Sequence, residues 1–152
     1  MDSVQRTIVG ALQRDARITL RALADRVGLA PSSTSVRLRD LEESGVIRGY
    51  HAEVDLDALG RPIQAMVFVK LSPSDASTVQ HFIDAVSAMP ETLAVHLISG
   101  VEDALIHLAV PDVDWLRDVV VGRISALPEV ADERTSLIFE HQRIHEVAHL
   151  ES

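Results

Sequence analysis

Along the first third of the chain, apolar residues recur at helical spacing. Val4, Ile8 and Leu12, with Ala11 beside them, predict an amphipathic helix that ends near Asp15. Leu20, Leu23, Ala24 and Val27 predict a second, with Thr19 placed to cap it by accepting from its free backbone amides. Gly28 suits the left-handed conformation in which a helix stops sharply. Pro31 pre-sets the first turn of a third helix whose Thr34, Leu38 and Leu41 face inward. Gly45 ends that helix, and VIRGYHAEV (46–54) alternates as a strand does. Two short amphipathic helices about a glycine turn, followed by a strand, form a helix-turn-helix pattern.

Beyond a connector, DLDALGRP (55–62), the periodicity changes to strand, helix, strand, strand, helix, strand. IQAMVFVKL is the first strand. SDASTVQHFIDAVSAMP is a capped helix with Val79, Phe82, Ile83 and Val86 inward. TLAVHLISG and ALIHLAV pair about Val101–Glu102. DVDWLRDVVVGRISALP is a helix burying Trp115, Leu116, Val119, Val120 and Ile124, and RTSLIFEH is the last strand. Two split βαβ units of this kind predict an α+β chain ending in a ferredoxin-like βαββαβ sandwich, with both helices on one face of an antiparallel sheet. The expected domains are 1–50, a hinge strand and linker over 51–62, and 63–152. Helices cover one sheet face only, yet Met66 and Phe68 alternate with Ala65, Val67 and Val69. The apolar second face predicts a dimer through the sheets, with higher assembly beyond it.

Charge sharpens the division. The 152 residues carry a net charge of −9, but residues 1–50 hold eight Arg against six Asp and Glu. The rest holds six Lys and Arg against seventeen acids and would repel a phosphate backbone at close range. That asymmetry suits a small reading head on a body kept away from DNA. With 47% apolar residues the chain can bury a core, and with no cysteine it has neither disulfides nor thiolate metal sites. The N-terminus lacks a signal-peptide pattern, and no stretch approaches the ~20 apolar residues of a membrane span. The expectation is a soluble, cytoplasmic protein with no membrane partner.

With Thr34, Leu38 and Leu41 inward, the third helix leaves Ser32, Ser33, Val36, Arg37 and Arg39 outward or flanking. Short side chains permit close approach to a groove floor, and Arg binds guanine bidentately or pairs with phosphate. Arg48, just beyond, is within reach of the backbone of double-stranded DNA. A plain three-helix bundle whose arginines only solvate one face is the competing reading, and Asp40, Glu42 and Glu43 speak for it.

RDARITLRALADRVGLAPSSTSVRLRDLEESGVIRGYHAEVD, with SGVED at 99–103 and RTS at 134–136, resembles the Lrp/AsnC family of transcription regulators over nearly the whole chain. The resemblance implies a winged helix-turn-helix and a C-terminal domain that dimerises and senses small molecules. It further implies dimers assembled into octamers or related rings, with an amino-acid effector held in clefts where dimers meet. The family's Gly-x-x-Asp turn falls on Gly100, Val101, Glu102 and Asp103, and Thr135 and Ser136 match polar positions near the same cleft. Amides around such a turn can hold a carboxylate, and Asp103 can accept from an ammonium group; the alternative is an ordinary hairpin turn with a capping Asp. The chain departs from the family pattern at Glu102, often aromatic there, at Ala104, often bulky, at Ala30, usually a capping Ser, and at Asp40, often basic.

A regulator with a small effector is thus the leading reading, and an architectural DNA-bending multimer without a ligand the second. His141, His145 and His149 recur at the spacing of one helical face, which raises metal sensing as a third, although the resemblance implies no metal site there and no cofactor. Nothing marks an enzyme: the chain has no cysteine nucleophile, no phosphate-cradling glycine loop and no Gly-x-Ser-x-Gly elbow.

Overall fold

Asp2 starts the first helix, α1 (Ser3–Arg14), through a reciprocal capping box. Its carboxylate accepts from the Gln5 amide at 2.8 Å, and the Gln5 side chain accepts from the Asp2 amide at 3.0 Å. Thr19 caps α2 (Leu20–Val27) by accepting from Ala22 at 3.2 Å, and Gly28 closes it at φ 70°. Ala30 has no side chain with which to cap α3 (Pro31–Glu43), so Pro31 sets the first turn alone. The buried Thr34 hydroxyl donates back to the Ala30 carbonyl at 3.1 Å, which satisfies it within its own helix. Ile8, Ala11, Leu23 and Leu41 form the centre, with Leu12, Val27, Leu38 and Ile47 packed around them. Leu20, expected inside, is 39% exposed at the first position of α2.

This computed structural model describes residues 1–150 and divides them into two units, 1–53 with 142–150, and 54–141. The closing segment of the chain therefore groups with the helical unit and not with the body that precedes it. The Gln13 carboxamide clasps the Val147 backbone, accepting from its amide at 2.7 Å and donating to its carbonyl at 3.2 Å. Arg14 pairs with Glu146, and His145 with Glu53 at 3.1 Å. Residues 139–150 form no helix, so His141, His145 and His149 do not share a helical face, and no metal-binding cluster exists among the described residues.

The strand expected over 46–54 does not form. A strand forms only where a partner completes its ladder, and among the described residues no segment of this chain pairs with this one. Its start is held instead by the Ile47 amide, which donates to the Leu41 carbonyl at 2.9 Å.

The second unit runs β1 (Ile63–Leu71), α4 (Ala76–Ser87), β2 (Thr92–Leu97), β3 (Ala104–Val110), α5 (Val113–Val119) and β4 (Val130–Ile138). A π-helical turn over 120–124 extends α5. The sheet order is β2-β3-β1-β4 with every neighbouring pair antiparallel, which is the ferredoxin-like arrangement. Ala65, Val67, Val69 and Leu71 alternate onto the helix side, where Phe82 and Val86 of α4 and Leu116, Val119 and Ile124 meet them. The opposite face carries Gln64, Met66 and Phe68 against Ala109, His107 and Leu105. His107 is buried there and hydrogen-bonds Gln64 at 3.0 Å, and burial first, then His141 and His96, lower its pKa.

Two expectations for this unit shift. β4 begins at Val130, four residues before RTSLIFEH suggested, and ends at Ile138, three residues before that segment's end. Trp115, expected in the core, is 49% exposed, because its indole N–H donates to Glu91 at 2.8 Å and holds the ring at the rim.

Phe82 is the largest fully buried side chain, at 0% exposure in the middle of this core. Phe82→Ala should lower stability by about 3–5 kcal/mol. Urea unfolding reads it, and a loss below about 1 kcal/mol would mean that the site collapses around the truncation and that Phe82 is not the keystone.

Candidate nucleic-acid and effector surfaces

Helix geometry decides which face α3 presents. At 100° per residue, Ser32, Val36 and Arg39 fall within an arc of about 60°, and Thr34, Leu38 and Leu41 fall almost diametrically opposite. The three inward residues are thus what turns the other three out. Ser32, Ser33 and Arg39 are exposed, and Val36 is an apolar side chain 47% exposed in the middle of the row. Asp40 flanks the row and Glu43 lies at its far end, both exposed. Arg48 is exposed just past the glycine turn.

Arg37 behaves differently. It lies well off the row, half-buried, with its guanidinium on the Asp2 carboxylate that caps α1. The Gln5 amide first, and Arg37 second, hold the Asp2 carboxyl below the usual carboxylate range. Arg37 thus ties α3 to the start of α1, and only the remainder of its donor fork faces outward. A second tie follows α3, where the Tyr50 hydroxyl donates to Glu42 at 2.8 Å. Burial first, then Glu42, pushes the Tyr50 phenol up to about 12.

In the second unit, the Gly100–Asp103 turn joins β2 to β3, with Gly100 at φ 144°, where glycine is favoured. Asp103 locks the turn onto β1. Its amide donates to the Val69 carbonyl at 2.9 Å, and its carboxylate accepts from the Leu71 amide at 2.9 Å and from Lys70 at 3.2 Å. The Leu71 amide, more than Lys70, holds its carboxyl below the usual range. Asp103 has therefore committed lone pairs to its own chain. Glu102 pairs with Arg134 at 2.9 Å, and that guanidinium lies 4.5 Å above the Phe68 ring. Val101, Glu102, Phe68, Lys70, Asp132 and Arg134 line a hollow of about 150 Å³.

Thr135 and Ser136 are not gathered with that hollow. Successive strand residues point to opposite faces, and Thr135 is in register with Val67 on the helix side, Ser136 with Met66 on the open side. Thr135 donates to Glu133 at 3.3 Å and lines a different hollow beside Val113 and Val121 of the α5 segment. Lys70 and Phe68, which do reach the turn, carry no local sequence signal, and Arg134 is marked only as part of RTS. Only strand register brings residues 68, 102 and 134 together.

Residues 1–48 match the winged helix-turn-helix DNA-binding family, and residues 64–146 match the Lrp/AsnC ligand binding domain. The chain is 41% identical over 143 residues to the HTH-type transcriptional regulator AldR of Mycobacterium tuberculosis, covering 94% of this chain and 80% of the relative. It is 34% identical over 140 residues to the leucine-responsive regulatory protein of Escherichia coli K12, covering 92% and 85%. A transcriptional regulator from Neisseria meningitidis, solved as a complex with L-Met, superimposes with a TM-score of 0.88 at 25% identity, covering 95% of this chain and 93% of the other. These relatives are regulators, not enzymes. No helix among the described residues is long and apolar enough to cross a membrane.

The Asp103 ties have a pH signature. A carboxyl lowered in the folded state contributes stability that is complete above its unfolded pKa and is lost as pH falls through the folded value. Asp103→Asn should therefore lower stability near neutrality and converge with the unaltered chain in acid. Urea unfolding across that range checks it; parallel curves would mean that the ties contribute nothing.

Proposed function

The chain belongs to the Lrp/AsnC family of transcription regulators, and from that premise we propose that it reads operator DNA through α3 as a homo-oligomer and responds to an amino-acid effector. The row Ser32–Val36–Arg39, set opposite the core, carries this reading. Hydroxyls at the N-terminal end let α3 approach a major-groove floor, Val36 offers a methyl-sized contact to thymine, and Arg39 reaches guanine or phosphate. Arg48 adds a phosphate contact beyond the turn. Exposed Asp40 and Glu43 weaken one copy's attraction to a polyanion, which favours several reading heads acting together.

The sheet face with Met66, Phe68 and Leu105 supports pairing of two copies, and octamers built of such dimers are the assembly we favour. Paired recognition helices then meet successive major grooves about one helical turn apart. The effector reading draws support from the leucine-responsive name of one relative and the L-Met complex of another. In this chain the turn Gly100–Asp103, with the Arg134 donors that Glu102 does not take offered to a carboxylate, is the site we assign to it, completed by Thr135 and Ser136 of a neighbouring copy. Effector and DNA are then coupled through quaternary state, and the coupling is reciprocal.

Arg39→Ala and Arg48→Ala should each weaken operator binding and reduce the salt slope by about 0.9. Val36→Ala should relax preference at one base pair by about 1 kcal/mol and leave the slope alone. Fluorescence anisotropy across a salt series and on base-substituted operators separates them, and an Arg39→Ala chain with both slope and base preference unchanged would sink the assignment of α3. For the effector, Arg134→Ala should shift the amino-acid dependence of operator binding to higher concentration. If no amino acid alters operator affinity in the unaltered chain, the sensing half of the reading fails.

A further inference from the structure

At the end of the sheet away from the Gly100–Asp103 turn lies a cavity of about 200 Å³ that includes Leu59, Arg61, Pro90, Glu91, Pro111 and Trp115 in its wall. Six steps along β3 separate the two places, roughly 20 Å at ~3.4 Å per residue. Glu91 is 5% exposed. One carboxylate oxygen, Oε1, takes the Trp115 indole N–H at 2.8 Å and the Arg123 guanidinium at 2.5 Å. The other, Oε2, is buried with no hydrogen-bond partner. A buried carboxylate oxygen in that state calls for a donor.

Beside it, Arg61 donates to the Pro90 carbonyl at 2.5 Å. That acceptor is neutral, so the guanidinium keeps its charge uncompensated and has further donors to offer. Arg123 already neutralises Glu91, so the cavity as a whole carries the surplus positive charge of Arg61. Leu59, Pro90, Pro111 and the Trp115 ring supply apolar wall. A matching ligand needs a carboxylate, a hydrogen-bond donor close to it, and an apolar remainder.

We infer that this cavity is a second small-molecule site, which takes an apolar α-amino acid with its carboxylate on Arg61 and its ammonium on Glu91 Oε2. Leu59 and Arg61 belong to the linker that enters β1, and the Arg61 amide also donates to the Leu56 carbonyl at 2.8 Å. An occupant therefore braces the linker at its root. The site stands apart from the effector turn and does not rest on that assignment.

Trp115 is the chain's single tryptophan, so its emission reports on this cavity directly. The test titrates the intact protein with L-alanine, L-leucine and L-phenylalanine, each beside its decarboxylated amine and its deaminated acid. At least one of the amino acids should shift Trp115 emission saturably, and its amine and acid should do so only at much higher concentration. Arg61→Met, which removes charge at a half-buried position, should raise the apparent Kd about tenfold or more. Arg61→Lys should recover part of the loss, and Arg134→Ala at the effector turn should leave the titration in place. The inference is overturned if emission stays flat for all three amino acids at millimolar concentration, or if the Arg61→Met curve superimposes on that of the unaltered chain. Loss of the signal in Arg134→Ala also overturns it, because the emission then follows the effector turn from a distance.

Discussion

The antiparallel pairing of β1 with β3 at the centre of the sheet is the constraint on which the C-terminal body depends. Because side chains alternate with period two, the register Val67–Ile106 sends one set of residues to the helices and the other to the opposite face. A one-residue slip would exchange Val67 and Val69 for Phe68 and Lys70 in the core. On the other side of β1, the pairing with β4 carries Arg134, in step with Phe68, to the turn that holds Glu102. Fold and candidate effector site are thus consequences of the two alignments that share β1.

In the helical unit the corresponding constraint is angular. Three inward residues of α3 fix the direction of three outward ones, and no loop conformation has to be specified to aim them. Arg37 illustrates how much a single off-row angle matters: it has the composition expected of a DNA contact, but its guanidinium serves the cap of α1. Composition nominates residues for a surface, whereas phase along the helix decides which of them occupy it.

Much of this was legible in the chain. Periodicity located every helix and the four sheet strands, Thr19 and Gly28 marked the ends of α2, and the split βαβ order implied the sheet topology. The expected strand over 46–54 failed because alternation states a preference for a ladder and cannot supply a partner. Trp115 was misplaced because a large aromatic at core spacing looks buried, and the carboxylate that draws its indole outward lies twenty-four residues away. The turn between β2 and β3 was visible as Gly100 and Asp103. What surrounds it was not, since Phe68, Lys70 and Arg134 meet there only through register, and Thr135 and Ser136, adjacent in sequence, diverge by the pleat.

The Gln13 clasp on Val147 has a topological consequence. The chain leaves the helical unit at residue 54, builds the entire body, and returns at residue 142, so each half contributes a segment to the same small fold. A nick anywhere in the 55–60 linker would therefore not release a free reading head. It would yield two fragments in which the longer one still carries the 142–150 segment that complements the shorter, as a split protein does.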